Sequence, residues 1–218
     1  MTAAYFLSLG DHPGSIMFVF GRFIRNAKAA ITYPIWLCSD KPGPDNHIYK
    51  RRRVVSIAHR YSCETFIETG TFYGQMTNAV KRHFKNVLSV ELFEPLYRLN
   101  KTSFSDFPNI HIYFGDSASV LKDMLEHATG RILFWLDGHY SGGTTACGDQ
   151  VSPVLMELDQ IREHARADHC ILIDDARLFG SEGYPTFEAT KAKLLAINPR
   201  YLISVDHDCI VAALSEVP

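Results

Sequence analysis

From Glu64 onward, short apolar runs alternate with stretches whose apolar residues recur at helical spacing. The runs are Thr65 to Glu68, Val87 to Leu92, Ile110 to Phe114, Arg131 to Leu136 and Cys170 to Ile173. Each is nearly continuous and rich in Val, Ile, Leu or Phe, which predicts strands covered on both faces, as in a parallel sheet. Between them, Met76, Ala79, Val80 and Phe84 share one helical face, as do Val151, Val154, Leu155, Leu158 and Ile161, and later Phe187, Thr190, Leu194 and Ile197. Pro153 and Pro185 stand near the starts of the latter two, suiting first-turn positions. The alternation predicts a doubly wound, Rossmann-like α/β domain. Tyr201 to Val205 and Cys209 to Leu214 break the rhythm, because only Asp206, His207 and Asp208 separate them. That is too little chain for a parallel crossover, so the two runs predict an antiparallel hairpin at one edge of a seven-stranded, mostly parallel sheet.

Before residue 64 the pattern is weaker. Ile16, Val19, Phe20, Phe23, Ile24 and Ala27 mark one helix, with Arg22, Arg25 and Lys28 on its other side. A loop with Pro34, Pro42, Gly43 and Pro44 follows, and a second helix is expected from about Tyr49 to Tyr61. We read residues 1–63 as a helical cap or lid on a core spanning 64–218. A chain of 218 residues with 46% hydrophobic and 21% charged content suffices for one good core. Its net charge of −2 argues against a dedicated nucleic-acid binder. The one basic run, Lys50 to Arg53, reads as a solvated helix face, or as a contact for an anionic partner. Five scattered cysteines without zinc spacing fit a reducing compartment. No apolar run is long enough for a bilayer and no secretory start is present, so the expectation is a cytoplasmic protein without a membrane partner. The apolar first helix makes a homodimer an expectation too.

Candidate chemistry lies at the carboxyl ends of the strands, where open α/β sheets place their ligand crevice. Every central strand ends in acid: Glu68, Glu91, Asp116, Asp137, then Asp174 with Asp175. After the first strand comes the loop Glu68-Thr69-Gly70-Thr71-Phe72-Tyr73-Gly74. Phe72 and Gln75 stand where a dinucleotide fingerprint would need glycines, and no Lys-Ser/Thr follows as a phosphate loop requires.

This ordered set resembles class I S-adenosylmethionine-dependent methyltransferases: the glycine loop, Glu91 ending the second strand, Gly115-Asp116-Ser117 after the third, and the closing hairpin. The resemblance covers roughly residues 64 to 214. It implies that Gly70 and its neighbours Glu68, Thr71, Phe72, Tyr73 and Gly74 surround the methionine end of the cofactor. It further implies that Glu91 accepts both ribose hydroxyls, and that Asp116, beside the Ser117 backbone, takes the adenine amino group. As strand-end acids, Glu91 and Asp116 have helix capping as their alternative role.

Trp135 to Gly143 and Ile171 to Ala176 narrow the chemistry. Asp137, Asp174 and Asp175 end neighbouring strands about 4.8 Å apart, and carboxylates gathered so closely repel unless a cation sits among them. Oxygen ligands favour Mg²⁺ or another hard divalent ion. The arrangement is similar to metal-dependent, macrocin-type sugar O-methyltransferases. That likeness implies O-methylation of a small hydroxylated acceptor such as a sugar or glycosylated natural product, with Asp137 serving catalysis, cofactor and metal; the alternatives are a metal-independent or N-directed methyltransferase of the same fold, or a non-catalytic S-adenosylmethionine-binding protein. Two residues depart from the pattern: His139 where an acid is usual, and Ala176 where an aromatic is usual. His139 is either a general base or a structural loop residue. Asp174 and Asp175 can reach one ion only if the chain turns at once, since consecutive strand residues face opposite ways. The Ser141 to Thr145 loop is a candidate lid. No motif of DNA methylation appears, so nucleic acid is not the expected substrate.

Overall fold

The structure is a computed structural model that describes residues 13–40, 43–138 and 152–215. Two helices lead, α1 (Pro13–Leu37) and α2 (His47–Arg60). There follow β1 (Thr65–Thr69), α3 (Gln75–Val80), β2 (Asn86–Glu91), α4 (Glu94–Ser103), β3 (Ile110–Phe114), α5 (Ser117–His127) and β4 (Ile132–Leu136). The chain continues through α6 (Val154–Glu163), β5 (Cys170–Asp174), a 3₁₀ turn (Ala176–Leu178), α7 (Phe187–Ile197), β6 (Tyr201–Asp206) and β7 (Cys209–Leu214). The sheet order is β3-β2-β1-β4-β5-β7-β6, parallel up to β5 and antiparallel through β7 and β6. The seven expected strands and the edge hairpin are therefore present.

Alternate residues of each strand feed two apolar layers. Ile67, Ile132, Phe134 and Ile171 pack with Leu121, Met124, Leu158, Ile161 and Leu194 of α5, α6 and α7. Phe66, Leu133, Trp135 and Leu172 pack with Val54 and Ala58 of α2, and with Met76, Val80 and Phe84. Period-two alternation on a doubly covered sheet gives this division. The register pairs Thr69 with Val90 of β2 and with Leu136 of β4, which sets the carboxyl ends of these three strands level.

Two expectations about the helices are corrected, and the packing of α1 is added to them. Pro34 belongs to the last turn of α1 and not to the loop. It lacks an N–H, but Cys38 N donates to its carbonyl at 3.2 Å and the helix stops at Leu37. Phe23 and Ile24 of the apolar side of α1 are 67% and 50% exposed. Ala29 is the buried residue of this stretch, and the half-buried Arg22 lays its guanidinium 4.9 Å from the Phe104 ring centroid, while Arg25 and Lys28 are exposed. Arginine stems and planes cover aromatic surface well, so single arginines pack here beside small residues. Finally, Pro153 is the N-cap of α6 and Pro185 precedes the Thr186 N-cap of α7, both outside the first turn.

Candidate functional site

The loop after β1 turns through three left-handed residues in quick succession, Gly70 (φ 90°), Phe72 (φ 50°) and Gly74 (φ 64°). At Gly70 an added Cβ would lie 2.7 Å from the Asp137 carbonyl oxygen, and at Gly74 it would lie 2.8 Å from the Phe104 ring and against Asn100. Both positions therefore demand glycine by conformation and by space. The Gly70 and Thr71 N–H groups donate to the Val90 carbonyl at 3.0 and 3.1 Å, so the loop is sewn to β2. Beneath it Glu68, 2% exposed, accepts from Ser89 Oγ at 2.7 Å and from Thr77 Oγ1, while Thr71 Oγ1 meets Ser89 Oγ at 2.6 Å. Burial pushes the Glu68 carboxyl up to about 7, against the pull of its two hydroxyl donors. Above the loop, the Phe72 and Tyr73 rings meet edge to face at 4.6 Å. The Arg25 guanidinium of α1 sits 4.7 and 4.8 Å from their centroids. These aromatics bind the N-terminal helix to the glycine loop.

Glu91 ends β2 beside that loop. Its Oε2 accepts from Phe72 N at 2.7 Å and its Oε1 from Phe93 N at 2.9 Å. Burial raises its pKa, and the backbone N–H groups of Phe93, Phe72 and Leu92 oppose the rise. Each oxygen keeps a further lone pair, so the donor set fits two more hydrogen-bond donors set side by side. Asp116 caps α5, its Oδ1 accepting from Ala118 N at 3.0 Å. The capping role thus coexists with a free second oxygen position on the half-buried side chain. Ser117 is buried, and its hydroxyl and that of Thr69 face Glu157 of α6 and favour its charged form. Burial lifts the Glu157 carboxyl to about 7.

The acids of β4 and β5 do converge. Asp137, Asp174 and Asp175 each bring a carboxylate oxygen within 4.8 Å of the others. The immediate turn required of the Asp pair exists: Asp174 is the last residue of β5 and Asp175 is left-handed (φ 57°, ψ 44°), which swings its side chain back. That conformation is unfavourable for a non-glycine residue and is held by its ion pairs. Two carboxylates at this separation repel by about 3.5 kcal/mol at an effective dielectric constant near 20. A cation answers them. Lys50 of α2, 7% exposed, ion-pairs with Asp174 Oδ2 and lies 3.9 Å from Asp175 Oδ1, with its Nζ 6.0 Å from the Trp135 ring centroid. Burial opposes the Lys50 charge, yet Asp174, Asp137 and Asp175 together hold it protonated above the ordinary lysine range. For Asp174, burial raises the carboxyl pKa and Lys50 pulls it back. Arg177 Nη1 reaches Asp175 Oδ1 at 2.6 Å and also bonds Asp208 of the hairpin turn.

The basic run is therefore not one solvated face. Lys50 and Arg53 are both buried, Arg53 bridging Asp45 at 2.6 Å and Asp206 at 2.7 Å, while Arg52 is exposed. Lys50, Glu157 and Arg177 are site residues that sequence reading missed. Of these only Arg177, two residues beyond the Asp pair, had a neighbour to flag it. His139 and the Ser141 to Thr145 loop lie outside the described residues.

No protein-family model matches the sequence, and no curated protein matches it. Solved structures match the fold. An O-methyltransferase from Bacillus cereus in complex with SAH is 12% identical, with 86% of this chain and 90% of that chain covered at a TM-score of 0.55. An SAH-bound methyltransferase from Podospora anserina is 12% identical (94% and 89% covered, TM-score 0.53). The O-methyltransferase TomG of Streptomyces achromogenes, involved in tomaymycin synthesis and in complex with SAM, is 11% identical (98% and 95% covered, TM-score 0.53). The chain has the fold of these enzymes, as the sequence resemblance implied.

Proposed function

We propose that the protein is an S-adenosylmethionine-dependent methyltransferase that transfers a methyl group to a hydroxyl of a small hydroxylated acceptor, such as a sugar or a glycosylated natural product. Glu91 carries the reading. It is a carboxylate aimed by two backbone N–H groups, beside a glycine loop, with lone pairs left for two vicinal ribose hydroxyls. The fold shared with O-methyltransferases that bind SAM or SAH supports it.

When bound, the cofactor supplies an electrophilic sulfonium methyl group. Glu91 would hold the ribose, Asp116 with Ser117 the adenine edge, and the Gly70 to Gly74 loop the methionine end. Gly70 contributes space, because its N–H is committed to β2. Glu68 acts through the loop it braces. Asp137, at the seam between β1 and β4, accepts the proton of the acceptor hydroxyl as that oxygen attacks; His139 is the other candidate for this role. Fixed orientation of the acceptor supplies much of the rate.

A divalent ion on Asp137, Asp174 and Asp175 is a second reading. It is favoured by Asp174 Oδ1, which is buried without a hydrogen-bond partner among the described residues. It would place the ion beside the Lys50 ammonium, whose charge opposes it. The proposal keeps a cytoplasmic location. It also keeps a homodimer through the outer face of α1, where Ile31 and Ile35 join Phe23 in exposure. Titration calorimetry with S-adenosylmethionine and S-adenosylhomocysteine is the decisive experiment. Heat of binding in the micromolar range is expected, and none at millimolar ligand sinks the reading.

A further inference from the structure

We infer that Lys50 is the resident cation of the Asp137–Asp174–Asp175 cluster, a tethered ammonium in the place a divalent ion would take. The inference rests on the methyltransferase reading only for the purpose the cluster serves; the charge arrangement itself stands on the geometry.

The three acids gather at the acceptor side of the sheet, and their positive partner arrives from α2. Lys50 is buried to 7% exposure, so its charge faces carboxylates and the Trp135 ring and not solvent. Mg²⁺ needs a near-octahedral oxygen shell and keeps several waters. Asp174 has given its Oδ2 to the Lys50 ammonium, so an ion taking Oδ1 would sit against that charge. Asp175 is further committed, since Arg177 Nη1 takes the same Oδ1 that faces Lys50.

The helix carrying Lys50 is also fixed. Asn46 caps it by accepting from Ile48 N at 2.9 Å, Arg53 ties it to Asp45 and Asp206, and Val54 and Ala58 are sunk in the apolar layer. Lys50, Arg53 and Val54 lie on one face at spacings of three and four, so the turn that delivers the ammonium is pinned by its neighbours. Withdrawing Lys50 would expose a buried ion pair or move a packed helix. In this role Lys50 is a positioning residue. It offsets part of the acids' charge and holds the Asp174 and Asp175 carboxylates, leaving Asp137 beside them to face the acceptor without a bound metal.

The test uses the full chain, stripped with chelator, as wild type, Lys50→Met and Lys50→Arg. Mn²⁺ and Mg²⁺ are titrated by calorimetry and by thermal melting. The expected result is a wild type whose melting temperature is the same in EDTA and in millimolar Mn²⁺. Lys50→Met should melt lower in EDTA, recover with Mn²⁺, and bind Mn²⁺ at least about tenfold more tightly than wild type, because the acids then lack their cation. Lys50→Arg should stay insensitive. A wild type that binds one Mn²⁺ at micromolar concentration overturns the inference, and so does Lys50→Met with no gain in Mn²⁺ binding. Should Lys50→Met fail to fold, the wild-type titration still decides. S-adenosylmethionine titrated into the same samples reports separately on the methyltransferase reading.

Discussion

The two halves of the sheet's carboxyl edge hold their acids by different means. On the β1–β3 side, Glu68, Glu91 and Asp116 are bonded by hydroxyls and backbone N–H groups. On the β4–β7 side, Asp174, Asp175, Asp206 and Asp208 are bonded by Lys50, Arg53 and Arg177. Neutral donors orient a carboxylate and leave its charge and spare lone pairs for a ligand. Cations offset much of the charge and take several of the oxygens, so the second half is a rigid wall of ion pairs. An adenosyl cofactor suits the first surface, and an uncharged hydroxylated acceptor suits the second.

The contrast can be broken first at Glu91. Glu91→Ala removes an acceptor for two hydroxyls and should weaken S-adenosylmethionine binding roughly 1000-fold, about 4 kcal/mol, in calorimetry. Unchanged affinity would show that the neutral-donor half is not a ribose site. Asp174→Asn keeps the shape but leaves Lys50 short of its nearest charge. A loss of about 3 kcal/mol in urea unfolding is expected, at the low end for a broken buried pair because Asp175 remains 3.9 Å away. The same substitution made at an acid held by neutral donors should act oppositely. Glu157, like Glu68, has a pKa raised in the fold, to about 7, so its neutral form is the one the fold favours. Stability from this source is complete below the ordinary carboxyl value and is lost as pH rises through about 7. Glu157→Gln should therefore flatten the decline in melting temperature between about pH 5 and 8, recovering on the order of 2 kcal/mol at the alkaline end. The smallest effect is expected at Arg25→Ala, which unfastens α1 from the Phe72 and Tyr73 rings. About 1 kcal/mol of stability should go, with faster amide exchange confined to α1 and the glycine loop.

The same division separates what was legible in the sequence from what was not. Strands announce themselves because a doubly covered strand is a continuous apolar run, and Glu91 and Asp116 follow from strand ends. The requirement that the chain turn at Asp175 was also readable, since strand geometry forbids the alternative. Lys50 was hidden. Four consecutive basic residues sweep round a helix at about 100° each, so composition cannot say that Lys50 and Arg53 point inward while Arg52 points out. Their acids lie far along the chain. On α1 the apolar pattern located the helix but not its packed side: Phe23 and Ile24 are exposed, Ala29 is buried, and Arg22 and Arg25 lie on aromatic planes.

The pinning of α2 has a consequence for the order in which the molecule is made. Lys50 meets Asp174 across 124 residues and Arg53 meets Asp206 across 153, so both arginine and lysine emerge from the ribosome long before their partners. Until β5 and the hairpin have been synthesised, α2 carries buried-to-be charges with nothing to oppose them, and that desolvation cost works against the apolar hold of Val54 and Ala58. Its docking is thereby deferred to the last third of translation, and the seating of Lys50 becomes a sign that the β5 acids and the closing hairpin have been built.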